Sequence, residues 1–351
     1  MKYRLGDLVQ IKYGKDHKKL NAGNIPVYGT GGLMRRVNDF IYDGDSVLIP
    51  RKGSLNNVMY VTSKFWTVDT MFWTKIDKNK ILPKYLYYCL SKIDLSTFNV
   101  GSAVPSLTIK ILNEITLEVP SLQIQNEIIS KIKPIEDKIR LNNKINDNLV
   151  KLVDSYFINF LNNVTTVEKT IEDIGTVVGG GTPSKKIADY WNGDIAWVTP
   201  KDLSQHPLIF TSSGENYITG LGLAKGSAKL LPTNTILFSS RAPIGYISIA
   251  KNNLATNQGF KSVIPNKEYS FQFIYELLKH ETAAIKNEAN GSTFKEISGK
   301  KLKQHIINIP NSEDTSKFNE ITKPIFKQLR KLEEENEELL AIKKGLLEKY
   351  F

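Results

Sequence analysis

The feature that most restricts this chain is that it is written twice. Ile132-Lys133-Pro134-Ile135 recurs as Thr322-Lys323-Pro324-Ile325, 190 residues later. At the same offset "GSAVPSLTIKILNEITLEVPSL" (Gly101 to Leu122) lies over "GSTFKEISGKKLKQHIINIPNS" (Gly291 to Ser312), sharing Gly-Ser, a Lys, a Leu and the closing Pro. Upstream, "VLIPRKGSLNNVMYV" (Val47 to Val61) lies over "ILFSSRAPIGYISIA" (Ile236 to Ala250), and "YLYYCL" lies over "FIYELL", with small loop indels. No single match is strong, but all occur in one order, and an internal repeat decides architecture before any single element does. A chain of 351 residues divided this way gives two like halves of ordinary domain size.

Each copy has two parts. The first, residues 1–134 and 165–322, carries short alternating apolar runs such as "SVLIP", "NVMYV" and "WTVDTMFW", broken by Gly, Asn and Pro. Such runs predict strands and turns. One helix interrupts them, opened in the first copy by Pro83, a favoured first-turn residue. The second part, residues 135–161 and 323–351, reads as one long helix, and Ile135 to Leu161 and Ile325 to Phe351 are 27 residues each with no proline inside. A 4-3 spacing selects Ile135, Ile139, Asn142, Asn146, Leu149, Val153, Tyr156 and Phe160 in the first helix. In the second it selects Ile325, Leu329, Leu332, Asn336, Leu339, Lys343, Leu346 and Tyr350. This is a coiled-coil seam, and Asn146 and Asn336 are its equivalent polar positions. The expected fold is α+β: two similar globular domains and two long helices that pair antiparallel about a pseudo-twofold axis.

The net charge is +11, and the first globular part supplies +8 of it, with 19 basic and 11 acidic residues in 1–134. The helices are nearly balanced. Such a surplus suits nucleic acid, an anionic surface or an acidic protein. In the first copy the bases cluster at turns, in "KYGKDHKK" (Lys12, Tyr13, Lys15, His17, Lys18, Lys19), "GTGGLMRR" (Arg35, Arg36) and "PRKGSLNN" (Arg51, Lys52, Asn56). Arg and Lys neutralise phosphates and read guanine, and Asn or Gln can bond adenine in two places. The matching candidates in the second copy are Ser184, Lys185, Lys186, Lys201, Arg241, Asn257 and Gln258.

The glycine stretch "GTVVGGGTPSKK" (Gly175 to Lys186) fits neither phosphate-binding template. Counted from Gly175, Gly181 stands where the P-loop lysine belongs; counted from Gly179, Ser184 stands where the last dinucleotide-loop glycine belongs. Pro183 also removes an N–H from a loop that would have to offer N–H groups. By position in the repeat, "GGGTPSKK" is the counterpart of "KYGKDHKK", a DNA-facing or structural loop. His17, His206, His280 and His305 have no partners at zinc-ligand spacing, so no metal site is expected. No nucleophile or methyl-donor loop is legible either. Cys89 is the only cysteine, so no disulfide forms within the chain. Neither a signal peptide nor a membrane-length apolar run is evident, and the expected location is cytoplasmic.

Several stretches together, "GGGTPSKKIADYWNGDIAWVTPKDL" (Gly179 to Leu203), "SSRAPIGYISIA", "ATNQGF" (Ala255 to Phe260) and "GSAVPSLTIKILNEITLEVPSLQIQNEI" (Gly101 to Ile128), resemble the specificity subunits of type I restriction-modification systems. The resemblance covers essentially the whole chain, although the first copy has "NIPVYGTGG" where the second has its T-P-S string. It implies a non-catalytic reader of double-stranded DNA, each globular part a target recognition domain for one half of a split site. It also implies methyltransferase subunits, two of them, docked on the helices and bringing S-adenosylmethionine, and restriction subunits that bring ATP and Mg. A strut of 27 residues is roughly 40 Å long at the rise of an α-helix, so the helices would set the unread spacer. Two other readings compete: a stand-alone DNA-modifying enzyme, and a coiled-coil scaffold that binds an acidic protein partner.

Overall fold

The computed structural model describes residues 1–101, 103–241, 243–289 and 295–351. Of the aligned stretches above, Ser102, Ala242 and Gly291 to Phe294 lie outside these residues. The chain divides into two compact units, Met1–Ile139 with Glu338–Phe351, and Arg140–Glu337. Each unit therefore holds one globular copy together with a stretch of both long helices.

The copies fold alike, element by element. In the first, Lys2–Arg4 pairs antiparallel with Thr116–Glu118; in the second, Thr166–Thr170 pairs with Ile306–Pro310. A single helical turn follows, Leu5–Leu8 or Ile171–Ile174, and Asp7 or Asp173 accepts the N–H of the residue that opens it. Next come Val9–Tyr13, paired residue for residue with Phe72 to Ile76 of the strand Met71–Ile76, and Gly175–Gly179, paired in the same way with Lys261–Pro265. The first sheet continues through Ser46–Pro50 to Met59–Val61, the second through Ile236–Phe238 and Ile247–Ala250 to Phe210–Thr211. Val47, Leu48 and Ile49 are fully buried, so the run reads as unbroken apolar sequence because both faces of that strand are covered.

A second sheet stands beside the first in each copy. Ala22–Gly29 pairs antiparallel with Gly32–Val37 and parallel with Trp66–Thr67. Trp191–Val198 pairs antiparallel with Asn216–Ile218 and parallel with Leu254–Thr256. Equivalent residues stand 166 apart at the start of the copies (Lys2 and Glu168) and 190 apart at the end (Glu118 and Asn308). The second copy therefore carries extra chain in its middle, including the short helices Pro200–Gln205 and Gly220–Lys225.

The long helices begin earlier than the prolines suggested. They span Leu122–Asn162 and Ser312–Tyr350, with Pro134 and Pro324 inside. A proline in a helix forfeits one backbone hydrogen bond, but both prolines lie on the exposed side of their helices, where that loss costs least. The turns before them are fixed by burial. Ile128 and Ile132 enter the core of the first unit and Phe318 that of the second, while the buried Gln125 amide bonds the backbone of Lys80, Leu82 and Pro120.

Within each unit the helices run antiparallel. In the first, Glu136 meets Lys343 (2.8 Å) and Lys131 meets Tyr350 (3.1 Å). In the second, Asn142 meets Asn336 (3.0 Å), and the rings of Phe157 and Phe318 lie 5.6 Å apart. Ile135, Ile139, Asn146, Leu149, Leu329, Asn336, Leu339 and Leu346 are all buried or half-buried, whereas Leu141, Leu152, Leu340 and Ile342, off the seam, are exposed. No helix is long and apolar enough to cross a membrane, among the described residues.

Candidate nucleic-acid interface

The loop that follows Val9–Tyr13 in one unit and Gly175–Gly179 in the other is built on the same contact. A Cβ on Gly14 would stand 2.0 Å from the Val68 carbonyl, and one on Gly180 would stand 2.0 Å from the Asn257 carbonyl. Each glycine is required because the backbone there passes directly over the residue that follows the parallel strand of the second sheet. In the glycine run of the second copy, Gly180 packs on the backbone at Asn257 and Gly181 on that at Ser227. Beyond Gly14 the loop carries Lys15, Lys18 and Lys19; beyond Gly180 it carries Ser184, Lys185 and Lys186. All of these are exposed. None of the lysines, nor Lys12 and Lys52, has an ion-pair partner among the described residues.

In the first unit this loop faces the hairpin tip Gly29–Gly32 and the turn at Asp69 across a hollow of about 540 Å³. Asn57 closes one side by donating to the Thr30 carbonyl at 2.6 Å. Tyr13 is 53% exposed, and the Arg51 guanidinium lies 5.3 Å from its ring centre. Tyr13 and Arg51 together make a flat cationic surface of the kind that receives phosphate or a base. His17 lines the hollow, with its Nδ1 buried and unpartnered. The Asp16 carboxyl beside it is held below its usual range by the backbone N–H of Lys18.

Several candidate side chains are engaged within the fold. Arg35 donates to the carbonyls of His17 and Leu20, both at 2.7 Å, and Arg36 to that of Asn24 at 2.8 Å. Arg35 ties the hairpin to the loop, Arg36 bonds across the hairpin itself, and both charges add to the surface potential. Asn56 gives its amide to Asp94 (2.8 Å), and Arg51 gives one N–H to the Asp69 carbonyl (3.1 Å). In the second unit Lys201 pairs with Glu215 (3.0 Å), which holds its ammonium above the usual range. Gln258 accepts from the Thr182 hydroxyl, and Asn257 accepts from the Gly259 N–H (2.8 Å). Arg241 is half-buried and bridges to Glu296 through its backbone. Burial pushes the ammonium of neighbouring Lys261 down, against the pull of Glu296, with Arg241 adding to the effect.

The seam contains its own polar site. Asn142 gives its amide protons to Glu335 (2.8 Å) and Asn336 (3.0 Å), and Asn336 gives one to Asn143 (2.8 Å). Asn146, the repeat equivalent of Asn336, keeps its carbonyl oxygen buried and unpartnered. In the first unit Glu136 holds Lys84 (2.7 Å), Lys343 (2.8 Å) and the Tyr88 hydroxyl (3.0 Å). Burial opposes its charge, but Lys343 and Lys84 keep the carboxyl below its usual range.

Residues 1–151 and 163–344 match the model of the type I restriction modification DNA specificity domain. The chain belongs to this family. Among curated relatives, the type I restriction enzyme MjaIX specificity subunit of Methanocaldococcus jannaschii is 42% identical over 185 residues, 52% of this chain and 43% of that protein. A type I restriction enzyme specificity subunit of Escherichia coli is 30% identical over 265 residues, 71% of this chain and 64% of that one. The chain thus spans less than two thirds of the length of either relative. In fold it is similar to the type I restriction-modification S subunit of M. genitalium, with a TM-score of 0.65 at 16% identity, covering 100% of this chain and 96% of that one. Two family domains in one chain agree with the duplication read from the sequence, and each match runs into one of the long helices.

Proposed function

We propose that this chain is the non-catalytic DNA-reading subunit of a type I restriction-modification complex. Each unit reads one half of a split site in double-stranded DNA, through the lysine-bearing loop beyond Gly14 or Gly180 and the turns around it. The helix pair sets the unread spacer and docks two methyltransferase subunits. Those subunits bring S-adenosylmethionine and the adenine chemistry, and a restriction subunit brings ATP, Mg and cleavage. The observation that carries the reading is the recurrence of one basic loop, on one glycine contact, in two units of a single family chain.

The test is co-expression with the methyltransferase encoded beside it, followed by sequencing that maps methylated adenines. A split motif with a fixed spacer, one half of which changes when one unit is exchanged, is the expected result. Methylation indifferent to this chain despite a stable complex would leave it a scaffold. Methylation by the purified chain alone would make it an enzyme.

A further inference from the structure

The chain has four tryptophans; three give their indole N–H to carbonyls of the two basic loops, and the fourth, Trp73, gives its own to Tyr13, the last strand residue before the first loop. In the first unit Trp66 donates to Lys15 at 2.9 Å and Trp73 to Tyr13 at 3.2 Å. In the second Trp197 donates to Gly181 at 2.9 Å and Trp191 to Ser184 at 3.1 Å. Lys15 and Gly181 are equivalent positions, each the residue after the glycine pressed on the second sheet.

The donors are not equivalent. Trp66 stands opposite Val27 in the parallel strand pair of the first unit, and Trp197 stands opposite Ala255 in that of the second. In these matching pairs the tryptophan occupies one strand in the first unit and the facing strand in the second. The bond to the loop is the same. A ring that served only to fill volume would have no reason to aim its N–H at the same carbonyl from either side of a strand pair. Three of the four rings are also half-buried, at the surface where the loops sit.

We propose that Trp66 and Trp197, supported by Trp73 and Trp191, are positioning residues for DNA recognition. Each pair fixes one loop in the conformation that presents its lysines, Lys15, Lys18 and Lys19 or Lys185 and Lys186, to the duplex, and each pair serves one half-site. Binding then does not have to order a floppy loop, and a loop with one shape accepts fewer sequences. The inference rests on the recognition role proposed above.

The experiment uses the complex of the full chain with its methyltransferase and measures methylation rates on three duplexes: the cognate site, and sites with one base changed in either half. Trp66→Phe keeps an aromatic ring and removes the N–H. Discrimination at the half-site read by the first unit should fall by about tenfold, the upper end of what one net hydrogen bond sustains, with the other half-site unchanged. Trp197→Phe should give the mirror result. Equal loss at both half-sites, or a lower melting temperature with discrimination intact, would overturn the proposal, since a merely structural ring gives those outcomes.

If either phenylalanine variant fails to fold, the chain is made with benzothienylalanine, a tryptophan isostere without the N–H, at all four positions. Both half-sites should then relax together, and undiminished discrimination refutes the role. A wild-type complex with no split-site preference would instead refute the recognition reading on which the inference stands.

Discussion

The seam asparagines offer a sharp test of the helix pairing. Asn142 is 0% exposed and Asn336 is 9% exposed, and they are joined by a 3.0 Å hydrogen bond. Asn142→Leu removes that bond, worth about 1 kcal/mol net, and the one to the Glu335 side chain, worth about 1.5–3 kcal/mol, and leaves the Asn336 carbonyl oxygen buried without a donor, a further ~1–3 kcal/mol. The new leucine recovers about 1.5–3 kcal/mol through apolar burial, so the single change should cost about 2–4 kcal/mol. Asn336→Leu strands one Asn142 proton and the Asn143 carbonyl oxygen, with a similar result. The double variant strands neither member of the pair and places leucine against leucine, so it should be no less stable than either single variant, with a coupling of about 1–3 kcal/mol. Urea unfolding of the full chain and its three variants measures the cycle, and sedimentation checks whether the apolar seam also admits other partners or registers. Single effects that add to within about 0.5 kcal/mol would show that the two residues do not meet, and would refute the antiparallel register in this unit.

Three further outcomes are expected. Burial pushes the Glu276 carboxyl up to about 8, with Lys279 working against that and Asp154 adding to it. The folded chain therefore holds a proton that the unfolded chain releases from about pH 4.5 upward, and this group's contribution to stability is complete at low pH and lost as pH rises toward 8. Glu276→Gln should thus gain on the wild type by up to ~4 kcal/mol between pH 5 and pH 8.5 in paired urea titrations, and a gap that does not change with pH would contradict this. Gly180→Ala must displace backbone and should cost about 1–3 kcal/mol, whereas Gly220→Ala, with nothing within 4 Å of the added carbon, should be neutral; thermal melts distinguish them. Removing two heptads from both long helices should shorten the methylated spacer and leave both half-sites intact, and an unchanged spacer would exclude the helices as its ruler.

What could be read from the sequence follows the range of the forces involved. The duplication and the seam rest on periodic burial, a property of neighbouring residues, and each seam position read from the 4-3 spacing is at least half-buried. Pro134 and Pro324 mislead because local propensity argues for a helix start, while Ile128, Ile132 and Phe318 are drawn into the cores by partners far away in sequence. The engagement of Arg35 within the fold is not legible in the sequence for a similar reason. Whether Arg35 faces DNA or the His17 and Leu20 carbonyls depends on the register of a hairpin that is bulged between Val27 and Tyr28.

The asparagines show how symmetry itself can mislead. Asn146 and Asn336 match in the repeat, yet matching positions need not meet. An antiparallel pair reverses the order of one helix against the other, so residues that match in the repeat meet only where the two numberings cross. Asn336 therefore meets Asn142, and Asn146 is left with an unpartnered oxygen. The tryptophans make the converse case: Trp66 and Trp197 are not equivalent in the repeat, yet they reach equivalent carbonyls because they face each other's positions across one strand pair. Comparing the two halves residue by residue would miss that bond, and comparing them contact by contact finds it. Where the halves of a duplicated chain have diverged, the shared contacts, rather than the shared letters, mark what both halves still have to do.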